Sequence, residues 1–433
     1  MARHRGKHAR PPDQVYRSSF FLLSATVLTA ALGFVFWVLV ARVYSPEQVG
    51  LATSLISATS LISYLSLFGL NSTLIRFPAP PQARNGQISQ SIAVVAVVSC
   101  VVGTGYLLGL PLYGPKLLFV REHAVQAVVF VLFCICSAVN LLTDSVFIGA
   151  RLPQYNVLVD GLLQGLAKLA LPVALTGFGV FGIFGSTGGG YLIAVAASVV
   201  LMRRKLGFRF DLLARGTRLR EQLGFSVANY LSSLLNLAPQ LAIPLIVLQR
   251  LGEASAGYYY VAFQIASLLN AVSFSVGEAV FAEASYDPSR FKVLLRRSAM
   301  IMAGTQLPAA AAVAGASSLL LTLFGGEYVA QARPLLLVFA LAALAVALNT
   351  WTSFALKLTR QMGALVLSNT VYAVVAIGLA ALWAPRGLAW LGWAWLAGNL
   401  VSGLVALTAL LTRRRARESA VTVAAPTETA EAL

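Results

Sequence analysis

The residues of this chain best placed to do chemistry are ionisable side chains inside long apolar runs. Lys168 lies in the middle of LVDGLLQGLAKLALPVAL (158–175). Asp160 stands two turns before it, Asp144 in the preceding apolar run and Glu278 in a later one. A charge held in hydrocarbon costs about 3 kcal/mol even on lenient insertion scales, so such residues face an interior and tend to serve function. An amine there suits an anionic group, and a carboxyl suits a proton or sodium ion. Asp144, Asp160 and Glu278 are therefore candidates for ion coupling, and Lys168 for binding an anion or for coupling. A structural reading stands beside this one. Asp144 and Asp160 can pair with Arg151 or another basic neighbour, and Lys168 can form a static bridge to an acid.

Helical spacing shows which apolar runs carry a polar side. Asn156, Asp160, Gln164 and Lys168 are each four apart. Asn229, Ser233, Asn236 and Gln240 are spaced by four, three and four, as are Thr53, Ser57, Ser60 and Tyr64. Ser137, Asn140 and Asp144 line up likewise, and so do Asn270, Phe274 and Glu278. Ser and Thr stripes are also common packing contacts between membrane helices, so the Thr53–Tyr64 stripe reads equally as packing or as cavity lining. Three carboxamides on one face, with Pro239 and Pro244 beside them, need partners or water.

The elements that hold these residues follow from composition. The chain has 433 residues, of which 58% are hydrophobic and 11% charged. A soluble protein lacks the interior to hide that much apolar surface. Runs long enough to cross the ~30 Å of bilayer hydrocarbon recur along it. Twelve spans are predicted, at 19–40, 48–71, 88–111, 123–148, 156–176, 180–202, 222–249, 255–284, 298–323, 334–356, 363–384 and 388–411. The fold class is an all-α polytopic membrane protein. The basic N-terminus resembles the start of a signal peptide, but the apolar run after it is too long and shows no small-residue cleavage site. It reads as an uncleaved first span.

Charge sets the orientation. With the N-terminus inside, 25 of the 32 Lys and Arg fall on inner segments, six on outer ones, and Lys168 within a span. That asymmetry is the positive-inside signature of a cytoplasmic face and puts both termini in the cytoplasm. The net charge of +17 is thus a topology signal. It predicts anionic lipid headgroups as neighbours, not nucleic acid.

A motif also repeats. VARVYSPEQVGLA (40–52) and LQRLGEASAGYYYVA (248–262) each run from an apolar helix through an Arg and a short turn with one Glu to a Gly that opens the next helix. They join spans 1 to 2 and 7 to 8, six spans apart and with the same orientation. The expected organisation is a basic tail (1–17), a six-helix lobe (18–202), a basic linker (203–221), a second six-helix lobe related by a parallel repeat (222–411) and a cytoplasmic tail (412–433).

Other chemistries are poorly served. Cys100, Cys134 and Cys136 lie in apolar runs without a CxxC pair, and His4, His8 and His123 are scattered, so no metal or disulfide framework is predicted. GSTGGGY (185–191) lacks the GK[ST] of a phosphate loop and reads as a site of close helix contact or a tight hairpin. No cofactor site, paired-carboxylate loop or nucleophile–base set is visible, so an enzyme is not expected.

The stretch from Tyr16 to Phe77, YRSSFFLLSATVLTAALGFVFWVLVARVYSPEQVGLATSLISATSLISYLSLFGLNSTLIRF, resembles the start of the polysaccharide biosynthesis and O-antigen (Wzx-like) flippase family. That family is a branch of the multidrug/oligosaccharidyl-lipid/polysaccharide exporter superfamily. The likeness lies in a first helix, an Ala-Arg turn, a Pro-Glu-x-x-Gly step and a second helix ending near Gly-Leu. It implies a bacterial cytoplasmic-membrane transporter that moves a polyprenyl-pyrophosphate-linked oligosaccharide from the inner to the outer leaflet by alternating access, for cell-surface polysaccharide synthesis. Glycosyltransferases or a polymerase of the same pathway would be partners. Lys168, Arg76 and Arg17 would meet the pyrophosphate, and Asn229, Asn236, Gln240 and Tyr64 the sugars. The lipid II branch carries two further C-terminal helices, which this reading does not find after residue 411. The alternatives are a drug or organic-cation exporter of the same superfamily, which needs acids in the outer half, and a membrane scaffold of a polysaccharide assembly complex.

Overall fold

A computed structural model describes residues 30–212, 219–286 and 291–423. Among the described residues there is no strand. Twelve long helices follow in chain order. The first four are α1 (Ala30–Val43), α2 (Pro46–Ser66), α3 (Pro81–Tyr113) and α4 (Ala124–Gly149). Next come α5 (Gln154–Ala174), α6 (Val180–Leu206), α7 (Leu219–Leu251) and α8 (Glu253–Tyr286). The last are α9 (Phe291–Gly315), α10 (Gly326–Leu358), α11 (Met362–Trp383) and α12 (Leu388–Val423). Each predicted span holds one of them. Ten helices among the described residues are long and apolar enough to cross a membrane. The other two are α1, described only from Ala30, and α9, which Thr305, Gln306 and Pro308 interrupt.

The sequence explains where helices start and stop. Ser45 caps α2 through its hydroxyl, which accepts from the Gln48 amide at 3.3 Å, while the Gln48 side chain accepts from the Ser45 amide at 3.2 Å. This is a reciprocal capping box, with Pro46 opening the helix where its missing N–H costs nothing. The second predicted span ends earlier than expected. A turn at Leu67–Gly69 breaks it, because Gly69 takes a left-handed backbone (φ 80°), and a short helix, Leu70–Arg76, follows. Gly207 (φ 65°) stops α6 in the same way, just past Arg203, Arg204 and Lys205.

The chain divides into two compact units. Of the described residues, the first comprises those within 30–44, 62–113 and 118–226, and the second those within 45–61, 114–117 and 227–423. The N-terminal part of α2 is therefore grouped with the second unit. In the first unit α4 packs against both α3 and α6. Tyr106, Phe130 and Phe184 stack there in a ladder at 5.7 and 6.0 Å. In the second unit α10 is central, packing on α8, α9 and α12. Tyr259, Phe263, Phe339, Tyr372 and Trp395 form its aromatic core. A buried polar network binds the same helices. Asn349 donates to Asn399 at 3.0 Å, Ser402 donates to Asn349 at 3.0 Å, and Asn369 donates to Ser232 at 2.9 Å. Lipid-embedded helices gain little from the hydrophobic effect, so close packing and such interhelical hydrogen bonds hold them together. The outward faces agree, since Leu112 is 90% and Val125 75% exposed. Such surfaces suit hydrocarbon and would aggregate in water.

Candidate functional site

The polar residues of α4 and α5 converge within the first unit. Asn140 on α4 donates to the Asp160 carboxyl on α5 at 2.9 Å. Asn156, at the start of α5, donates to the backbone carbonyl of Asp144 at 3.1 Å. The Asp144 and Asp160 carboxyls are close enough to interact electrostatically. Tyr64, from the C-terminal part of α2, is within electrostatic reach of Asp144. On the next turns of α5, the Lys168 amine lies 5.0 Å over the Tyr191 ring of α6 and feels the charge of Asp160.

Local backbone builds this arrangement. Residues Val157–Gln164 form a π-helical stretch inside α5. Such stretches are rare and occur at functional sites. In an α-helix a four-residue step overshoots one turn by about 40°, so three steps carry a side chain well off its face. A π-helix has more than four residues per turn, and the same step falls short. The mixture keeps Asn156, Asp160, Gln164 and Lys168 closer to one line than a regular helix allows. Pro172, buried within α5, then leaves the Lys168 carbonyl without its helical N–H.

The glycines of α6 supply the opposing surface. A β-carbon on Gly190 would stand 3.1 Å from Gln164 Cγ and 3.2 Å from Lys168 Cε, and one on Gly188 would meet the Phe133 ring at 2.0 Å. GSTGGGY is thus mid-helix and serves close contact, not a hairpin. It forms a shelf on which the Lys168 stem lies. Four buried polar atoms around this site lack a hydrogen-bond partner: Asp144 Oδ1, Asn140 Oδ1, Asn156 Oδ1 and Gln164 Nε2. Buried polar atoms are normally satisfied, so a ligand, ion or water would find hydrogen-bonding groups here.

The other predicted site residues are placed differently. Arg76 is exposed at the end of the short helix, its guanidinium 5.8 Å over the Phe77 ring. Asn236 and Gln240 are half-buried on α7, in the second unit. Arg17 lies outside the described residues, as do the side chains of Asn229 and Glu278. Asn140, Tyr191 and Gly190 join the site without having been singled out as binding residues. The strict four-residue spacing in α5 was the available signal for its widened turn. Among the described residues no group of three or more His, Cys, Asp or Glu suits a metal ion.

A family model described as "Polysaccharide biosynthesis protein" matches residues 15–281. Among solved structures, the lipid II flippase MurJ in an inward closed conformation is similar, with a TM-score of 0.72 and 12% identity over 90% of this chain and 87% of that one. The inward-facing conformation of a multidrug resistance MATE family transporter of the MOP superfamily gives 0.69 and 14% over 92% and 96%. A eukaryotic MATE transporter gives 0.61 and 16% over 91% and 96%. At these identities the likeness is one of fold. No curated protein matches the chain.

Proposed function

The chain belongs to the polysaccharide biosynthesis protein family, and from that premise we propose that it is a flippase for polyprenyl-pyrophosphate-linked oligosaccharide. It works in the bacterial cytoplasmic membrane with both termini inside, and carries its cargo from the inner to the outer leaflet by alternating access of lobes 18–202 and 222–411. Glycosyltransferases or a polymerase of the same pathway supply and consume that cargo.

One observation carries the reading. An amine, two neighbouring carboxyls and four unsatisfied polar atoms meet in a segment expected inside the membrane. In our reading Lys168 meets the pyrophosphate, because a charge-assisted hydrogen bond to phosphate is among the strong ones. Arg76 and Arg17 add charge toward the cytoplasm. Tyr64, Asn229, Asn236 and Gln240 meet sugar hydroxyls. Asp144 and Asp160 couple transport to a proton, with Glu278 as a further acid in the second lobe.

The test is binding of farnesyl pyrophosphate, a short polyprenyl pyrophosphate, to the chain in nanodiscs. A lost hydrogen bond to a charged group costs about 1.5–3 kcal/mol, so Lys168→Ala should weaken binding roughly 10- to 100-fold. Unchanged affinity in a well-folded variant would remove Lys168 from the site.

A further inference from the structure

The repeated motif that joins the first two helices, and again α7 to α8, has a structural counterpart. Within the second unit, a β-carbon on Gly50 of α2 would lie 1.9 Å from the backbone carbonyl oxygen of Glu253 on α8. A β-carbon on Gly257 would lie 2.3 Å from the carbonyl oxygen of Pro46. Pro46 is four residues before Gly50, and Glu253 is four residues before Gly257. The contact is therefore reciprocal: each glycine lies against the first-turn carbonyl of the other helix. One Cα hydrogen of each points at that oxygen, the weak contact that recurs where membrane helices approach closely. Val49, Ala52, Thr53 and Ala256 around it are fully or almost fully buried.

Three features set this contact apart from ordinary packing. Backbone meets backbone with no side chain threaded through it, so the helices can part without unpicking interdigitated groups. Both first turns are held in shape independently, α2 by its Ser45–Gln48 box and α8 by the Ala256 amide donating to Gly252 at 3.1 Å. Finally, α2 has no Gly or Pro from Leu51 to Ser66, so it moves as a rod. Its C-terminal part carries Tyr64 beside Asp144.

We propose that the Gly50–Gly257 contact is a releasable latch between α2 and α8, closed in this structure and opened during the transport cycle. The inference rests on the transporter reading. Its function requires glycine at both positions, because any side chain props the latch open.

The experiment uses the full chain in nanodiscs, with Cys100, Cys134 and Cys136 replaced by Ser. Glu47→Cys and Ala254→Cys carry nitroxide labels, and their separation is read by double electron–electron resonance. The parent should show a short-distance population. Gly50→Leu or Gly257→Leu should reduce it about tenfold, as overpacking of a close contact implies. Gly378→Leu, at a glycine with open space around its β-carbon position, should leave it intact. Because a leucine variant can fail to fold, the same two cysteines are also tethered with a reducible bis-methanethiosulfonate reagent and the glycines kept. Tethering should stop transfer of lipid-linked oligosaccharide, and reduction should restore it. A tethered chain that transports at the untethered rate, or a Gly50→Leu distance distribution that superimposes on the parent, would overturn the latch. If the untethered chain transfers no lipid-linked saccharide, the transporter reading fails, while the distances still judge the latch.

Discussion

At the scale of single residues, Lys168 lies near Asp160, and Asp160 near Asp144. In our reading that acid pair is the proton site of transport. Neutralising one partner removes that site. Asp160→Asn should therefore flatten the pH dependence of transport in proteoliposomes while binding of farnesyl pyrophosphate persists. A pH profile parallel to the parent's would contradict the coupling role. The sequence made these residues visible because charge inside an apolar run is conspicuous. It did not separate a functional cluster from a structural pair with Arg151. Geometry bears on that choice: Asp160 is held by Asn140 and feels Lys168, while Arg151 is exposed at the end of α4 with a left-handed backbone (φ 62°). Arg76, proposed from position alone, is exposed with its guanidinium 5.8 Å over the Phe77 ring.

At the scale of elements, the helices were legible and their irregularities were not. Apolar run length locates each span, because the bilayer demands it. The π-helical stretch of α5 and the Gly188–Gly190 shelf of α6 depend on which helix lies opposite, which a linear pattern does not record. The shelf yields a direct expectation. Gly190→Val places branched carbons where Gln164 Cγ and Lys168 Cε now rest, and should cost about 1–3 kcal/mol of local packing. Farnesyl pyrophosphate affinity should fall with it, at near-parent expression. In the second unit, Asn349→Leu strands Asn399 and removes an acceptor of Ser402. That should lower stability by about 1–3 kcal/mol, the penalty for a buried unsatisfied polar group. Thermal unfolding in detergent would register it, and an unchanged midpoint would show that the network relaxes freely.

At the scale of the whole molecule, the 25-to-6 division of basic residues is an expectation about sidedness that rests on twelve segments. A described helix falls in each of them, and ten of these helices are long and apolar enough to cross a membrane. The repeated Arg–turn–Glu–Gly motif leads us to expect two related halves. In the second unit its two copies lie against each other at Gly50 and Gly257. The cargo we propose is set by chemistry that residue spacing does not record. The most direct measurement is therefore made on the cargo. Lipids extracted from a strain lacking this chain should be analysed by mass spectrometry for polyprenyl-pyrophosphate oligosaccharides. The account expects a complete lipid-linked repeat unit to accumulate on the cytoplasmic side, with loss of the surface polymer. An unchanged lipid-linked pool with normal surface polysaccharide would contradict it.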